Sequence, residues 1–321
     1  MTHTLTWTGT WTPRSPLSNA RAGLGVATVN GQILAIGGFN ADEVFDVVEG
    51  RQLFGDDTWR ALSDMPTGRE NFATAVLQGR VYAIGGFRTG ITPVDVVEIY
   101  DPETAAWTTG PALPQPRGNA GAATLNGLAY VVGGMLPAGG GNSSGKGTAT
   151  MIVYDPAENS WRSAAPISEP RQALRLVAAD GHLYAIGGVD RGGRSVSTVE
   201  RYDPVADSWR TMNPMRESRA RASVVHTRIG SMRLLVVVVG GAVLSRGGTA
   251  VDGRRTTEIF DLDTGEWELL DVLLPKMRGS HGSAIEPDGT ILAIGGGTLV
   301  DEKFVFLADV DALVLTRRDI S

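Results

Sequence analysis

The stretch "GGNSSGKGT" (140–148) is where this chain comes nearest to a phosphate loop. Gly140, Gly145 and Lys146 stand at the spacing that lets backbone N–H groups and a lysine cradle phosphates. Gly147 then takes the place of the Ser or Thr that would ligate magnesium. The run also lies between two strand-like segments, whereas a phosphate loop needs a helix after it. Nucleotide binding is not expected, and 135–150 reads as a Gly-rich insertion loop. Metal chemistry is equally poorly supplied. The histidines His3, His182, His226 and His281 are scattered along the chain, and there is no cysteine to supply a thiolate or a disulfide. No metal and no cofactor are expected.

Charge narrows the partners. A net charge of −6 argues against nucleic acid or an anionic membrane surface. The N-terminal "MTHTLTWTGTW" lacks the basic and apolar regions of a signal peptide, and "LLVVVVGGAVL" (234–244) is too short for a membrane helix. A soluble, cytoplasmic protein is expected.

The remaining polar residues are positioned by a repeat. "ILAIGGF" (33–39) returns as "VYAIGGF" (81–87), "AYVVGGM" (129–135), "LYAIGGV" (183–189), "VVVVGGA" (236–242) and "ILAIGGG" (291–297). Gly-Gly marks at 37-38, 85-86, 133-134, 187-188, 240-241 and 295-296 give a period within the range of propeller repeats. Trp11, Trp59, Trp107, Trp161, Trp209 and Trp267 keep time with them, and an arginine follows each tryptophan by ten residues, or by eleven after Trp267. These are Arg21, Arg69, Arg117, Arg171, Arg219 and Arg278. Between the marks the pattern is β: "FATAVLQGRVYAIGG" reads as a hairpin, and "VVEIYDPETAAWTTG" as a second pair turned at Asp-Pro. One such sheet cannot bury both faces, but a radial set can.

These landmarks resemble the Kelch repeat, whose blade carries Gly-Gly after the second strand, Tyr in the third and Trp in the fourth. The resemblance covers essentially the whole chain. It implies an all-β, six-bladed β-propeller with four-stranded antiparallel blades, forming a single domain over 1–321. Two departures stand out. "VEGRQLFGDDTW" replaces the Tyr-Asp-Pro of the first repeat, so an irregular third strand is expected there, and no Trp follows "KFVFLAD" (303–309). The N-terminal strand around Trp11 is expected to complete the C-terminal blade and close the ring. The tryptophans and tyrosines then read as packing, and the arginines as bridges between blades through backbone carbonyls.

In Kelch domains the residues just after the repeat's arginine, and just after Gly-Gly, tend to face the mouth of the central channel. Carried over position by position, the resemblance nominates Glu70, Asn71, Asn119, Gln172 and Arg221, together with Phe39, Phe87 and Met135. Phe72, Arg175 and His281 lie one or two steps deeper. Arg175 is the most unexpected, because its sister positions are Gly25, Ala73, Gly121 and Ser223. A long cation there needs a partner or an acidic ligand.

Two functions follow. The first is small-molecule binding in the funnel, with cofactor-independent acid–base chemistry of isomerase, lyase or cyclase type. Glu70, His281 and Arg221 would be its catalytic residues, and the other nominated residues would bind the ligand. The chain is similar in this respect to bacterial sialic acid mutarotases, stand-alone six-bladed rings with isomerase chemistry. The iron motif of plant nitrile-specifier proteins and the cysteine required by galactose oxidase are both missing. The alternative is a scaffold that binds a protein partner on its rim; exposed Phe39 and Phe87 would favour it.

Overall fold

The computed structural model describes residues 4–320 except 91, 139–144, 231, 239, 245–249 and 302. Among these residues there is no helix. Each hairpin forms because β-branched and aromatic runs alternate with tight turns. Blade B shows the plan: Ala73–Leu77, Arg80–Ile84, Val97–Asp101 and Ala106–Thr109 pair antiparallel in that order, from the ring's inside outward.

Five blades, not six, are built this way from one continuous run of chain. Their inner strands are Gly25–Val29 (blade A), Ala73–Leu77 (B), Gly121–Leu125 (C), Arg175–Ala179 (D) and Ser223–Ile229 (E). In each of them a tryptophan indole donates to a main-chain carbonyl of the preceding unit, as Trp107 does to Ser63 at 2.9 Å and Trp209 to Ala165 at 2.8 Å. The expectation of a six-bladed propeller is therefore corrected to five such blades and a closing sheet. The remaining four-stranded sheet is a composite of the two chain ends, ordered Gly282–Ile285, Ile291–Ile294, Val310–Ile320 and Thr4–Arg14. Its last two strands pair from Thr4↔Ile320 to Arg14↔Val310. Among the described residues the Trp11 indole nitrogen finds no partner, and Trp7 is the more deeply buried of the two tryptophans in this closing sheet. Two further hairpins, Ala242–Leu244 with Ala250–Gly253 and Gly297–Val300 with Lys303–Phe306, stand outside the four-stranded plan.

The first repeat's third strand is irregular: its register with the second shifts between Ile36 and Gly38, so that Asp46 and Val47 stand opposite Gly37 alone. That strand, Val44–Gln52, is nine residues long, and the short member is the fourth, Arg60–Ala61. By register, Arg51 stands where blade B has Tyr100. Its guanidinium pairs with Asp57 and with Glu286 of the closing sheet, so an ion pair replaces the aromatic contact.

Apolar clusters lie between sheets rather than within them. Leu17, Ile33 and Trp59 of the A side pack on Leu292 and Val310 of the closing sheet, and Val225 and Leu270 pack on Ile291 and Leu313. Inner strands touch their neighbours in cyclic order, and strands Gly25–Val29 and Gly282–Ile285 complete the circle.

The Gly-Gly pair answers to this packing. At Gly85 φ is +64°, and a Cβ would stand 2.2 Å from the carbonyl oxygen of Arg117 in the next blade. That carbonyl accepts the N–H of Gly86 at 2.8 Å. The landmark arginines thus bridge blades through their own carbonyls, while their side chains turn back into their own sheet. Arg69 donates to Gly85 O at 2.7 Å and to Glu98 at 2.8 Å. Glu49, Glu200, Glu258 and Asp311 do the same for Arg21, Arg171, Arg219 and Arg278. Blade C differs. Ile152 takes the carboxylate's register position, and Arg117 reaches Gly133 O and Thr150 instead. Burial with no carboxylate beside it lowers the Arg117 guanidinium to about 10.

Candidate functional site

The second residue after each landmark arginine forms a closed ring of main-chain hydrogen bonds. Asn71 N–H donates to Gly23, Asn119 to Asn71, Ala173 to Asn119, Arg221 to Ala173, Ser280 to Arg221 and Gly23 to Ser280, all within 3.0 Å. Every member has positive φ, from 49° at Asn71 to 64° at Gly23. Asn and Gly accept that conformation readily, but Ala173 and Arg221 do so against a steric cost. Closing the ring of amides decides the backbone here, because each N–H and C=O would otherwise be left without a partner in a narrow channel.

This ring is the mouth. A small cavity of about 20 Å³ within it touches Asn71, Phe72, Asn119, Arg175, Arg221 and Ser280. Behind it the channel widens to about 210 Å³ between the inner strands of all five blades and the closing sheet. Phe72, Thr74, Arg175, Ser223 and His281 supply its side-chain surface, and neither cavity has an Asp or Glu in its wall.

Arg175 faces both cavities. Its Nε donates to the carbonyl of Ala222 in blade E. Burial, and then repulsion from Arg221, lower its guanidinium to about 10. No described carboxylate forms an ion pair with it. Arg221 stands at the mouth, where enclosure by the ring lowers its affinity for protons and Glu70 partly restores it. Glu70 accepts from Asn71 Nδ2 at 3.2 Å. Burial raises its carboxyl to about 7, and Arg221 opposes that rise.

His281 is fully buried, and its Nε2 shares a 2.7 Å hydrogen bond with Ser223 Oγ, the donor being set by the tautomer. Burial, then Arg278, then Arg175 push its pKa well below 6.5, so the ring is neutral at pH 7. No described contact joins Glu70 to His281; the first faces Arg221 at the mouth, and the second holds Ser223 inside the channel.

Of the nominated residues, Asn71, Phe72, Asn119, Arg175, Arg221 and His281 line this channel or its mouth, and Glu70 adjoins them. Phe39, Phe87, Met135 and Gln172 line neither cavity. Phe87 is buried with its ring against Gly118, and Phe39 packs edge-on to Phe306 at 5.3 Å. Ser223 was missed, since only the fold sets it beside a histidine of another sheet. The tip of the Gly-rich loop, 139–144, lies outside the described residues. Lys146 is exposed, and the strand Met151–Asp155 follows where a phosphate loop would need a helix.

The Kelch-motif family model matches residues 20–49, 68–114, 116–168 and 170–216, more than half of the chain. The protein belongs to the Kelch family. Its fold is similar to the solved structure of YjhT, with a TM-score of 0.77 at 17% sequence identity over 95% of this chain and 99% of that one. No curated protein matches the sequence. At that identity the likeness carries the fold alone. No helix among the described residues is long and apolar enough to cross a membrane.

His281 gives this Kelch ring a pH dependence. An unfolded imidazole takes up a proton as pH falls through 6.5, and the buried one does not. The unfolded state therefore binds more protons, and stability declines as pH falls below that value. His281→Leu, which copies Leu24 and Leu174 at the sister positions, should remove about 1 kcal/mol of that decline over the first pH unit. Urea midpoints at pH 7.5 and 5.5 measure it; equal acid slopes in both proteins would contradict a neutral buried His281.

Proposed function

We propose that the channel of this Kelch ring binds a small anionic molecule, its acidic group held between Arg175 and Arg221. The observation that carries the reading is Arg175, a guanidinium facing a cavity whose wall contains no carboxylate. A cation held in low dielectric without a counter-charge binds an anion strongly, and a guanidinium fits a carboxylate or phosphate in bidentate fashion. Asn71, Asn119 and Ser280 add hydrogen-bonding groups around the same mouth. The scaffold reading loses one support, since Phe87 is only 3% exposed and offers no rim surface.

A thermal-shift screen of carboxylates, sugar acids and phosphates tests the proposal. A ligand at a hundredfold its dissociation constant adds about 2.7 kcal/mol to stability. Shifts in the wild type that vanish in Arg175→Met support the site, and no shift with any anion overturns it.

Glu70 adds a pH signature. Its carboxyl titrates at about 7 and carries negative charge above that value. An anion at the mouth should bind more tightly as pH falls from 8 to 6, because protonation removes the repulsion. Glu70→Gln should bind with the tight, low-pH affinity throughout, roughly three- to tenfold above wild type at pH 8. Parallel pH profiles for the two proteins would remove Glu70 from the site.

A further inference from the structure

Beside the mouth lies a second cavity of about 100 Å³ that shares Arg221 and Ser280 with it. Its walls are of another character. Met277, Leu299 and Phe304 face it, together with Gly253 and Gly297, and it runs between the two extra hairpins that stand on this side of blade E and the closing sheet. Phe304 is 47% exposed, stacked edge-on with Phe306 at 5.0 Å and laid over Gly297, where a Cβ would meet its ring at 2.0 Å. A glycine at 297 is thus what lets the aromatic side chain form this wall. Neither hairpin belongs to the four-stranded sheets; the second lengthens the single bridge that Phe87 makes with Pro93 and Val189 with Ser195 at the same place in other blades.

We infer that the anion of the channel carries an apolar arm, and that the cleft between the hairpins receives it. The inference rests on the anion-binding reading and names the ligand class: an aryl- or alkyl-substituted carboxylic acid. Arg221 and Ser280 border both cavities, so an acidic group at the mouth lies next to the cleft's entrance. The mouth cavity is bordered by polar groups and the neighbouring cleft by apolar ones, with Arg221 and Ser280 common to both, an arrangement that orients an amphipathic ligand. The volume is of the order that admits a phenyl ring.

Calorimetric titration of acetate, propanoate and butanoate against phenylacetate, phenylpropanoate and phenylbutanoate tests the inference. One phenyl acid should bind at least about tenfold more tightly than its unsubstituted parent, since burying a ring removes a large apolar area from water. Phe304→Ala, at an exposed position, should erase that preference and leave the parent acid's affinity unchanged. Arg175→Met should severely weaken binding of both. If phenyl and plain acids bind equally and both need Arg175, the channel site stands and the arm's cleft falls. If the phenyl acids bind without needing Arg175, or if no acid binds, the anion-binding reading falls and the inference with it.

Discussion

Replacing Arg69 by methionine is expected to cost about 3–5 kcal/mol of folding stability, the largest loss from any single substitution considered for this protein. Arg69 is fully buried, and among the described residues its guanidinium is the only cation paired with Glu98, itself 4% exposed. Removing it strands a carboxylate in a low-dielectric interior and leaves the carbonyls of Gly85 and Val96 without that donor. Arg69→Met with Glu98→Met should recover a large part of the loss, because an apolar pair replaces an isolated charge. Arg117→Met is the internal comparison. Among the described residues that arginine has no carboxylate partner, so the loss is of its hydrogen bonds to Gly133 and Thr150, about 1–2 kcal/mol. Urea unfolding of the four proteins decides the matter, and equal losses at Arg69 and Arg117 would show that the carboxylate is not what makes the landmark arginine costly to remove.

Arg175→Met is expected to spare stability while severely weakening binding. Affinity for an anionic ligand should fall by about a hundredfold, the worth of charge-assisted hydrogen bonds in a water-poor site. The unliganded protein should melt at the same temperature or higher, because folding no longer has to enclose an arginine with no carboxylate beside it. The lost donor to Ala222 O offsets a part of that gain. Arg69 and Arg175 are the same residue type, both held inside the ring. One neutralises a carboxylate and the other waits for one, so their substitutions should separate cleanly into a folding defect and a binding defect. A melting temperature lowered in Arg175→Met as far as in Arg69→Met would mean that Arg175 is structural.

The repeat was legible because its landmarks are local necessities. Gly85-Gly86 must be glycine where the Arg117 carbonyl of the next blade arrives, and Trp107 must reach Ser63 of the preceding one. Such constraints recur with each blade, and periodicity exposes them. The carboxylates facing the arginines recurred too, at Glu49, Glu98, Glu200, Glu258 and Asp311 but not in blade C, yet they went unread because Glu in a strand looks like solvent-facing polarity. Arg175 was legible for the reverse reason: it breaks a column of Gly, Ala and Ser.

What the amino-acid order determined by itself is the strand-and-turn grammar, the family, and the departures from the repeat at which function could reside. What only the tertiary structure decided is which departures meet. The closing sheet is assembled from two ends more than 300 residues apart, as the pairing of Thr4 with Ile320 shows. Ser223 finds His281 across a blade boundary, and Glu70 feels Arg221 across the mouth. Phe87, nominated for its place after Gly-Gly, turned into the packing against Gly118. A period in sequence specifies each blade's own hydrogen bonds, but side chains aimed at the axis answer to whichever blades the closed ring sets opposite them, and no local pattern records that.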